Sequence, residues 1–370
     1  MIIARHLYIT ILAATFSLSV LACRDKTTHG AASTQKGIRI LKDGLTFPWD
    51  ITLSKDGYLW MTEREGKILR IDPSTGKTVF SFTINEVESR GEGGLLGMAL
   101  HPHFLNNGLL YVVYDYNSND GYREKLVCYT YTGNALVKPI VLLDGVHAAG
   151  IHNGSRLWIT DEASPKIFMS TGDASNQSLP QQTNTLNGKI LRVNIDGTIP
   201  SDNPFPNNPV WSFGHRNPQG LVLAGNILYA SEHGPNEEDE VNIIEKGRNY
   251  GWPNVEGPCN GDEIAFCKAN NVKEPIWSSG DNTIAVCGLD YYNNDRITVW
   301  KNSLLMVTLK NSSLRQLKLS SDRRTITDVK TFLKDDYGRL RDVCVSPDGK
   351  VYICTSNGDN DKLIEISNLP

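Results

Sequence analysis

His152-Asn153-Gly154-Ser155-Arg156 sets a histidine and an arginine four residues apart, and Gly172-Asp173 follows about twenty residues later. An imidazole titrates near neutral pH and can carry a proton to or from a substrate. Gly214-His215-Arg216-Asn217-Pro218-Gln219-Gly220 adds a second arginine, and Arg339-Leu340-Arg341-Asp342 a further pair. Guanidinium groups match carboxylates in bidentate geometry. Ser231-Glu232-His233-Gly234-Pro235-Asn236 runs directly into Glu237-Glu238-Asp239-Glu240, and calcium prefers oxygen ligands of this kind. Taken singly, each has a plain reading: a loop histidine without a role, two solvated charges at a strand start, an exposed acidic turn. Only a fold that gathers them makes one site of them.

The elements available to do so are strands. Beyond Gly37 almost no apolar pattern has a helical period; a short alternating run, a turn and a second alternating run recur instead. The six pairs are Trp49–Leu53 with Tyr58–Thr62, Leu96–Leu100 with Leu109–Val113, Ser155–Ile159 with Lys166–Ser170, Gly220–Leu223 with Asn226–Ala230, Gly288–Tyr292 with Ser303–Val307, and Arg341–Val345 with Lys350–Cys354. Further strands such as Lys67–Asp72, Lys189–Asn194 and Lys362–Ser367 follow the hairpins. Four-stranded units recurring roughly every 50–65 residues predict an all-β, six-bladed β-propeller with antiparallel blades. The strand Gly37–Leu45 is expected to close the ring beside Leu363. Six repeats of one hairpin formula fit a β-sandwich poorly.

The chain has 370 residues, a formal net charge of −4 and no long basic run, which argues against a nucleic-acid partner. Arg5 and His6 precede an apolar stretch, Ile9–Ala22, too short to span a bilayer, and Val20-Leu21-Ala22-Cys23 has the form of a bacterial lipobox. Residues 1–23 therefore read as a lipoprotein signal ending at a lipidated Cys23, 24–36 as a flexible tether and 37–370 as the propeller. The domain is expected to be exported and anchored to a bacterial membrane by lipid alone, in the periplasm or at the cell surface. Disulfides are permitted there. Cys259 and Cys267 enclose a short polar loop and form a plausible pair, and Cys344 and Cys354 flank the Ser346-Pro347-Asp348-Gly349 turn, where a bond is geometrically demanding. No CxxC or Cys/His cluster has zinc spacing.

From Phe47 to the C-terminus the chain resembles the PQQ-dependent soluble sugar dehydrogenases, or glucose/sorbosone dehydrogenases. The resemblance is carried by Gly214–Gly220, Ser231–Asn236 and Lys246-Gly247-Arg248-Asn249-Tyr250-Gly251-Trp252-Pro253-Asn254-Val255, with support from Gly94-Leu95-Leu96-Gly97, His152–Arg156, Gly172-Asp173 and Arg339–Asp342. It implies a dehydrogenase that passes hydride from an aldose or related alcohol to pyrroloquinoline quinone (PQQ), with calcium. Electrons would go on to a membrane quinone or a periplasmic carrier. His152 would be the general base, Asp173 its orienting carboxylate, and Arg216 the cation at the quinone carbonyl. Lys310, Arg339 and Arg341 would hold the carboxylates of PQQ, and Asn217 and Gln219 its ring oxygens. The carbonyls of Gly234 and Pro235 would hold the cofactor's calcium. Glu240 and the carbonyl of Tyr250 would serve a second calcium, with Asn260 or Asp262 as third partner.

Two positions depart from the family. Glu92 replaces the usual Gln, putting a carboxylate beside an anionic cofactor unless it is protonated or paired with an arginine. The segment Ile276–Thr283 shows no evident counterpart of the aromatic that flanks the quinone, and Trp277 is displaced from that role. These departures favour a competing reading, a non-catalytic propeller that binds carbohydrate or protein. A metal-dependent lactonase is a third reading, and Gly214–Gly220 gives it no support.

Overall fold

The computed structural model describes residues 37–369. The expected signal, Cys23 and the tether therefore lie outside the described residues. Six four-stranded antiparallel sheets make six blades. Blade 1 consists of Pro48–Leu53, Leu59–Glu63, Lys67–Ile71 and Thr78–Thr83, and blade 2 of Leu95–Leu100, Leu109–Ser118, Gly121–Tyr131 and Leu136–His147. Blade 3 consists of Gly154–Ile159, Lys166–Thr171, Lys189–Asn194 and Val210–Phe213, and blade 4 of Pro218–Ala224, Ile227–Glu232, Glu240–Ile244 and Trp277–Ser278. Blade 5 consists of Val286–Tyr292, Ser303–Thr308, Ser313–Leu319 and Ile326–Phe332. Blade 6 takes Leu340–Val345, Val351–Thr355 and Asp361–Ile366 from the end of the chain and Ile38–Leu45 from its beginning. That last pairing sets Ile38 opposite Ile366 and Lys42 opposite Leu363, as the sequence predicts. Closure leaves no unpaired inner edge.

Each sheet is buried on both faces by its neighbours, so middle strands such as Leu59–Glu63 are buried at every position. The core is correspondingly divided into six clusters, one at each junction between blades. Outer strands such as Thr78–Thr83 alternate between exposed positions and sheltered ones, of which only Phe80 is buried. Polar staples join adjacent blades near the axis. The hydroxyls of Thr62, Ser170 and Ser231 donate to the carbonyls of Leu96, Pro218 and Cys287 on the next inner strand, at 2.7, 2.8 and 2.5 Å. The carboxylates of Asp50, Asp342 and Asp290 accept from the backbone of Met98, Ile51 and Val345 in the same sense.

Two short helices, Phe104–Asn107 and Glu263–Asn270, interrupt the strand pattern, and no helix among the described residues is long and apolar enough to cross a membrane. The Cys259–Cys267 disulfide is present, with a Cα separation of 6.4 Å. Cys344 and Cys354 are buried free thiols. The hairpin register sets Cys344 opposite Tyr352 and Cys354 opposite Asp342, so the two cysteines do not face each other.

In an up-and-down blade, the connection entering the inner strand and the turn between second and third strands emerge at the same end. Glu92, His152, Arg216, Asn217, Gln219, Arg339 and Arg341 lie on or just past the first kind of connection. Asp173, Gly234, Pro235 and Lys310 lie on the second. Topology alone thus sends these residues to one mouth of the channel. Tyr250 reaches it by another route. Residues 245–276 leave the third strand of blade 4 and return along blade 3, where Tyr250 N bonds Phe213 O at 2.9 Å and Trp252 N bonds Gly214 O at 3.0 Å.

Candidate active site

His152 sits at φ 62°, a left-handed conformation that costs a non-glycine residue about 1 kcal/mol or more. Its carbonyl lies against Gly172, where an added Cβ would come within 1.8 Å of it, so only glycine admits this approach. The result is His152 Nδ1 2.9 Å from Asp173 Oδ1. Asp173 is fixed from three other sides: Trp252 Nε1 donates to Oδ2 at 2.9 Å, Ser175 N to Oδ1 at 2.8 Å, and Asp173 N bonds Arg216 O at 2.8 Å. A carboxylate opposite Nδ1 keeps the ring proton there and leaves the Nε2 lone pair for a substrate.

Arg216 lies beside this pair. Its Nη1 donates to the carbonyls of His233 and Gly234 at 3.2 and 2.9 Å, and its guanidinium is 5.3 Å from the centre of the Trp252 ring. Burial lowers its pKa, while Asp173, Glu232 and Asp239 oppose the drop. The neighbouring His215 secures the backbone: Nδ1 meets Glu232 Oε2 at 2.9 Å, Nε2 meets Ser212 Oγ at 2.8 Å, and the ring stacks on Tyr250 at 4.5 Å. Glu232 also accepts from Arg216 N.

Asn217 is fully buried; its Oδ1 accepts from Gly154 N at 3.1 Å and its Nδ2 has no partner. Gln219 Oε1 accepts from Arg341 Nη1 at 2.7 Å and from Cys287 Sγ at 3.2 Å. Arg341 is buried, and Arg339 and Lys310 are exposed at the rim. The Lys310 turn is held inward by Leu309 N to Ala285 O at 2.8 Å and Asn311 N to Ile284 O at 3.0 Å. Glu92 forms no ion pair among the described residues, and its Oε2 is buried without a partner. It lies close enough to oppose the burial that lowers His233, Arg64 and Arg339, with Arg341 reinforcing the drop in all three. His233 is pushed down to about 4.

Several participants have no assigned role in the sequence reading. Arg64, on the second-to-third-strand turn of blade 1, presents a buried Nε without a partner. Trp252 is the aromatic that contacts both Arg216 and Asp173. Its position within Gly251-Trp252-Pro253 was the available signal. Trp277 lies on the outermost strand of blade 4, opposite Val241, in the core shared with blade 5.

The donors fit an anionic cofactor. Arg64 Nε, Arg216 Nε, Arg341 Nε and Asn217 Nδ2 are all buried without acceptors, and a buried unpaired donor is costly. For calcium, the Gly234 carbonyl is already engaged by Arg216. Glu232, Glu238, Glu240, Glu256 and Tyr250 line a small cavity alongside. Glu240 accepts from Gly257 N at 2.9 Å and from Asn242 Nδ2 at 2.7 Å, and burial followed by Glu232 pushes it up to about 8. Hard cations prefer such oxygens, but no three His, Cys, Asp or Glu side chains among the described residues converge to hold a metal ion. The Asn260 side chain turns to Pro258 O, at 3.0 Å.

The glucose/sorbosone dehydrogenase family model matches residues 45–365. Quinoprotein glucose dehydrogenase B of Acinetobacter calcoaceticus is 31% identical, over 87% of this chain and 86% of its own length. Aldose sugar dehydrogenase YliI of Escherichia coli K12 is 29% identical, over 94% and 97%. The PQQ-bound aldose sugar dehydrogenase of Streptomyces coelicolor superposes with a TM-score of 0.74 at 30% identity, covering 89% of this chain and 97% of that one. With a family model spanning nearly the whole described propeller, and the same fold in a PQQ-bound relative, this chain belongs to the glucose/sorbosone dehydrogenase family.

Proposed function

We propose that the protein is a PQQ- and calcium-dependent dehydrogenase that oxidises an aldose or related alcohol, with His152 as the base. The observation that carries this is the His152–Asp173–Trp252 chain, 2.9 Å at each link, opening onto a cradle of buried, acceptor-less arginine and asparagine donors. Bound PQQ would supply a quinone able to accept a hydride. His152 Nε2 takes the proton of the substrate hydroxyl, and Asp173 steadies the imidazolium that forms. Arg216, held on the carbonyls of His233 and Gly234, supplies fixed positive charge where negative charge develops. Arg341, Arg339, Lys310 and Arg64 would meet the cofactor's carboxylates, and Asn217 Nδ2 an oxygen of its rings. Gln219 holds Arg341 in place. The Gly234 and Pro235 carbonyls would hold one calcium ion, and Glu240 with the Tyr250 carbonyl a second. Glu92, whose Oε2 is buried without a partner, would oppose the cofactor's charge unless a neighbouring cation meets it, so Glu92→Gln belongs in the test. A lipidated Cys23 would keep the propeller beside a membrane, where a quinone or soluble carrier accepts the electrons.

The test is calorimetric titration of calcium-loaded apo-protein with PQQ, followed by reduction of an artificial acceptor on addition of an aldose. His152→Ala should leave binding nearly intact and cut turnover roughly 10²–10⁴-fold. Absence of PQQ binding by both wild type and Glu92→Gln, with calcium present, would reject the dehydrogenase in favour of a binding propeller.

A further inference from the structure

Behind the His152 loop, blade 2 buries two carboxyl groups that the reaction does not use. Asp115 and Glu124 are directly paired across the hairpin, so their side chains leave the same face of the sheet as close neighbours. They are 0% and 1% exposed. One oxygen of each is engaged. Asp115 Oδ2 accepts from Gly94 N at 2.9 Å, Tyr122 Oη at 3.1 Å and Asn153 Nδ2 at 3.3 Å, and Glu124 Oε2 accepts from Ser155 Oγ. The other oxygens, Asp115 Oδ1 and Glu124 Oε1, are buried with no partner.

Among the described residues no positive charge compensates them. Lys125 pairs with Glu86 at 2.9 Å, Arg156 is spent on Asp50 and Asp342, and Arg90 lies over the outer face of the Tyr122 ring while bonding Glu88 and Asn117. The remaining groups facing the pair, Tyr122, Asn153 and Ser155, are neutral donors. Two like charges so placed cannot both be ionised without a large penalty. Calcium needs about six to eight oxygens, and the pair offers two free ones, so a proton is the fitting occupant.

The engaged oxygens reach the active site. Gly94 ends the loop that carries Glu92, and Asn153 follows His152 in the chain. Glu92 N bonds Gly150 O at 2.7 Å, joining the two loops directly. The packing is tight, for a Cβ on Gly93 would fall 2.3 Å from Asp115 Oδ2 and 2.9 Å from Asn153 Nδ2. We infer that Asp115 and Glu124 hold one proton between them, and that this pair is a positioning device that sets the Glu92 and His152 loops for the reaction proposed above. Burial raises the pKa of both groups, and Asp115 raises Glu124 further. The shared proton is therefore retained from the unfolded carboxyl range near pH 4 up to the raised folded value, and the contribution to stability is lost as pH rises through that value.

The positioning role rests on the dehydrogenase reading, whereas the proton does not, so two measurements separate them. In apo-protein at neutral pH, infrared difference spectra between wild type and Glu124→Gln should show one protonated-carboxyl stretch that the variant lacks. The glutamine amide can donate to Asp115 Oδ1 without a proton being shared. No such difference, or a stoichiometric metal ion bound by wild type and absent from the variant, overturns the shared proton. Amide-exchange protection at Gly94 should fall with rising pH in wild type and stay level in Glu124→Gln. With PQQ and an aldose, turnover should show an alkaline decline in wild type that moves by at least a pH unit in the variant. Identical exchange and rate profiles in the two proteins would overturn the positioning role. If neither protein turns over, the dehydrogenase reading fails, and the spectra and exchange data still decide the pair.

Discussion

Two buried arginines near the propeller axis meet their charge in opposite ways. Arg156 projects from blade 3 to Asp50 of blade 1 and Asp342 of blade 6, at 2.6 and 3.0 Å, and its Nε donates to Gln219 O of blade 4 at 2.9 Å. Trp49 stacks against it at 4.3 Å. Four blades are tied by one guanidinium whose charge is balanced within the protein by two carboxylates, although its Nη2 has no partner. Arg341, nearer the mouth, hydrogen-bonds among the described residues only to the neutral Gln219 Oε1 and Cys287 Sγ, lies 5.8 Å from the Trp49 ring centre, and has an orphan Nε. No carboxylate among the described residues lies within ion-pair distance of it. A buried charge compensated from inside is structure; one left uncompensated awaits an anion from outside. The alternating placement matters because the two arginines share Gln219, through its backbone and its side chain respectively.

This contrast can be broken in several ways. Arg156→Met strands Asp50 and Asp342, both already raised by burial, facing each other, and should cost about 3–5 kcal/mol in chemical denaturation. A loss below about 1 kcal/mol would mean that the triad is not what joins these blades. Arg341→Met should change apo-protein stability by less than about 1 kcal/mol yet weaken PQQ binding by about 2 kcal/mol, some thirtyfold. If it unfolds as readily as Arg156→Met, its charge is met internally and the comparison fails. Glu92→Gln removes a negative charge from beside Arg64 and Arg339. A PQQ titration should find binding tightened by less than about 1.4 kcal/mol, or tenfold, and any weakening would make Glu92 a partner of the cofactor.

The smallest effect lies at the far end of the channel. Asp290 accepts from Val345 N at 2.6 Å and Tyr291 N at 2.7 Å, and burial raises its pKa to about 7. Its folded pKa exceeds its unfolded one, so the stability it contributes is full below about pH 4 and is lost as pH rises through about 7. Because Asp290 lines an open cavity with Asp161 and Lys55, solvent reduces the effect, which should stay below about 1 kcal/mol. Melting curves between pH 4 and 8 should be flatter for Asp290→Asn than for wild type; equal slopes would remove Asp290 from the account.

What the sequence determined on its own was periodic or local. The alternating runs around Ser54–Gly57 and Ser346–Gly349 are hairpins because side chains alternate across a strand, and in both the glycine N–H closes the turn onto the serine carbonyl, at 2.8 and 2.9 Å. Six such hairpins imply a ring, and the ring brings His152, Asp173 and Arg216 to one mouth. The short Cys259–Cys267 loop was equally legible. Other features depend on register and on the path of an irregular segment, which no local pattern encodes. Trp252 reaches Asp173 only because residues 245–276 return along blade 3. Cys344 misses Cys354 because the turn pairs Val345 with Val351, and the unbroken register that follows sets Cys344 against Tyr352 and Cys354 against Asp342. Asp115 and Glu124 read as ordinary strand residues in the sequence, and Arg156 as the arginine of the His152 motif rather than as a tie between blades. Which of them meets a counter-charge, shares a proton or is left for a ligand was decided by the tertiary structure, since the energy of a buried charge depends on neighbours contributed by other blades.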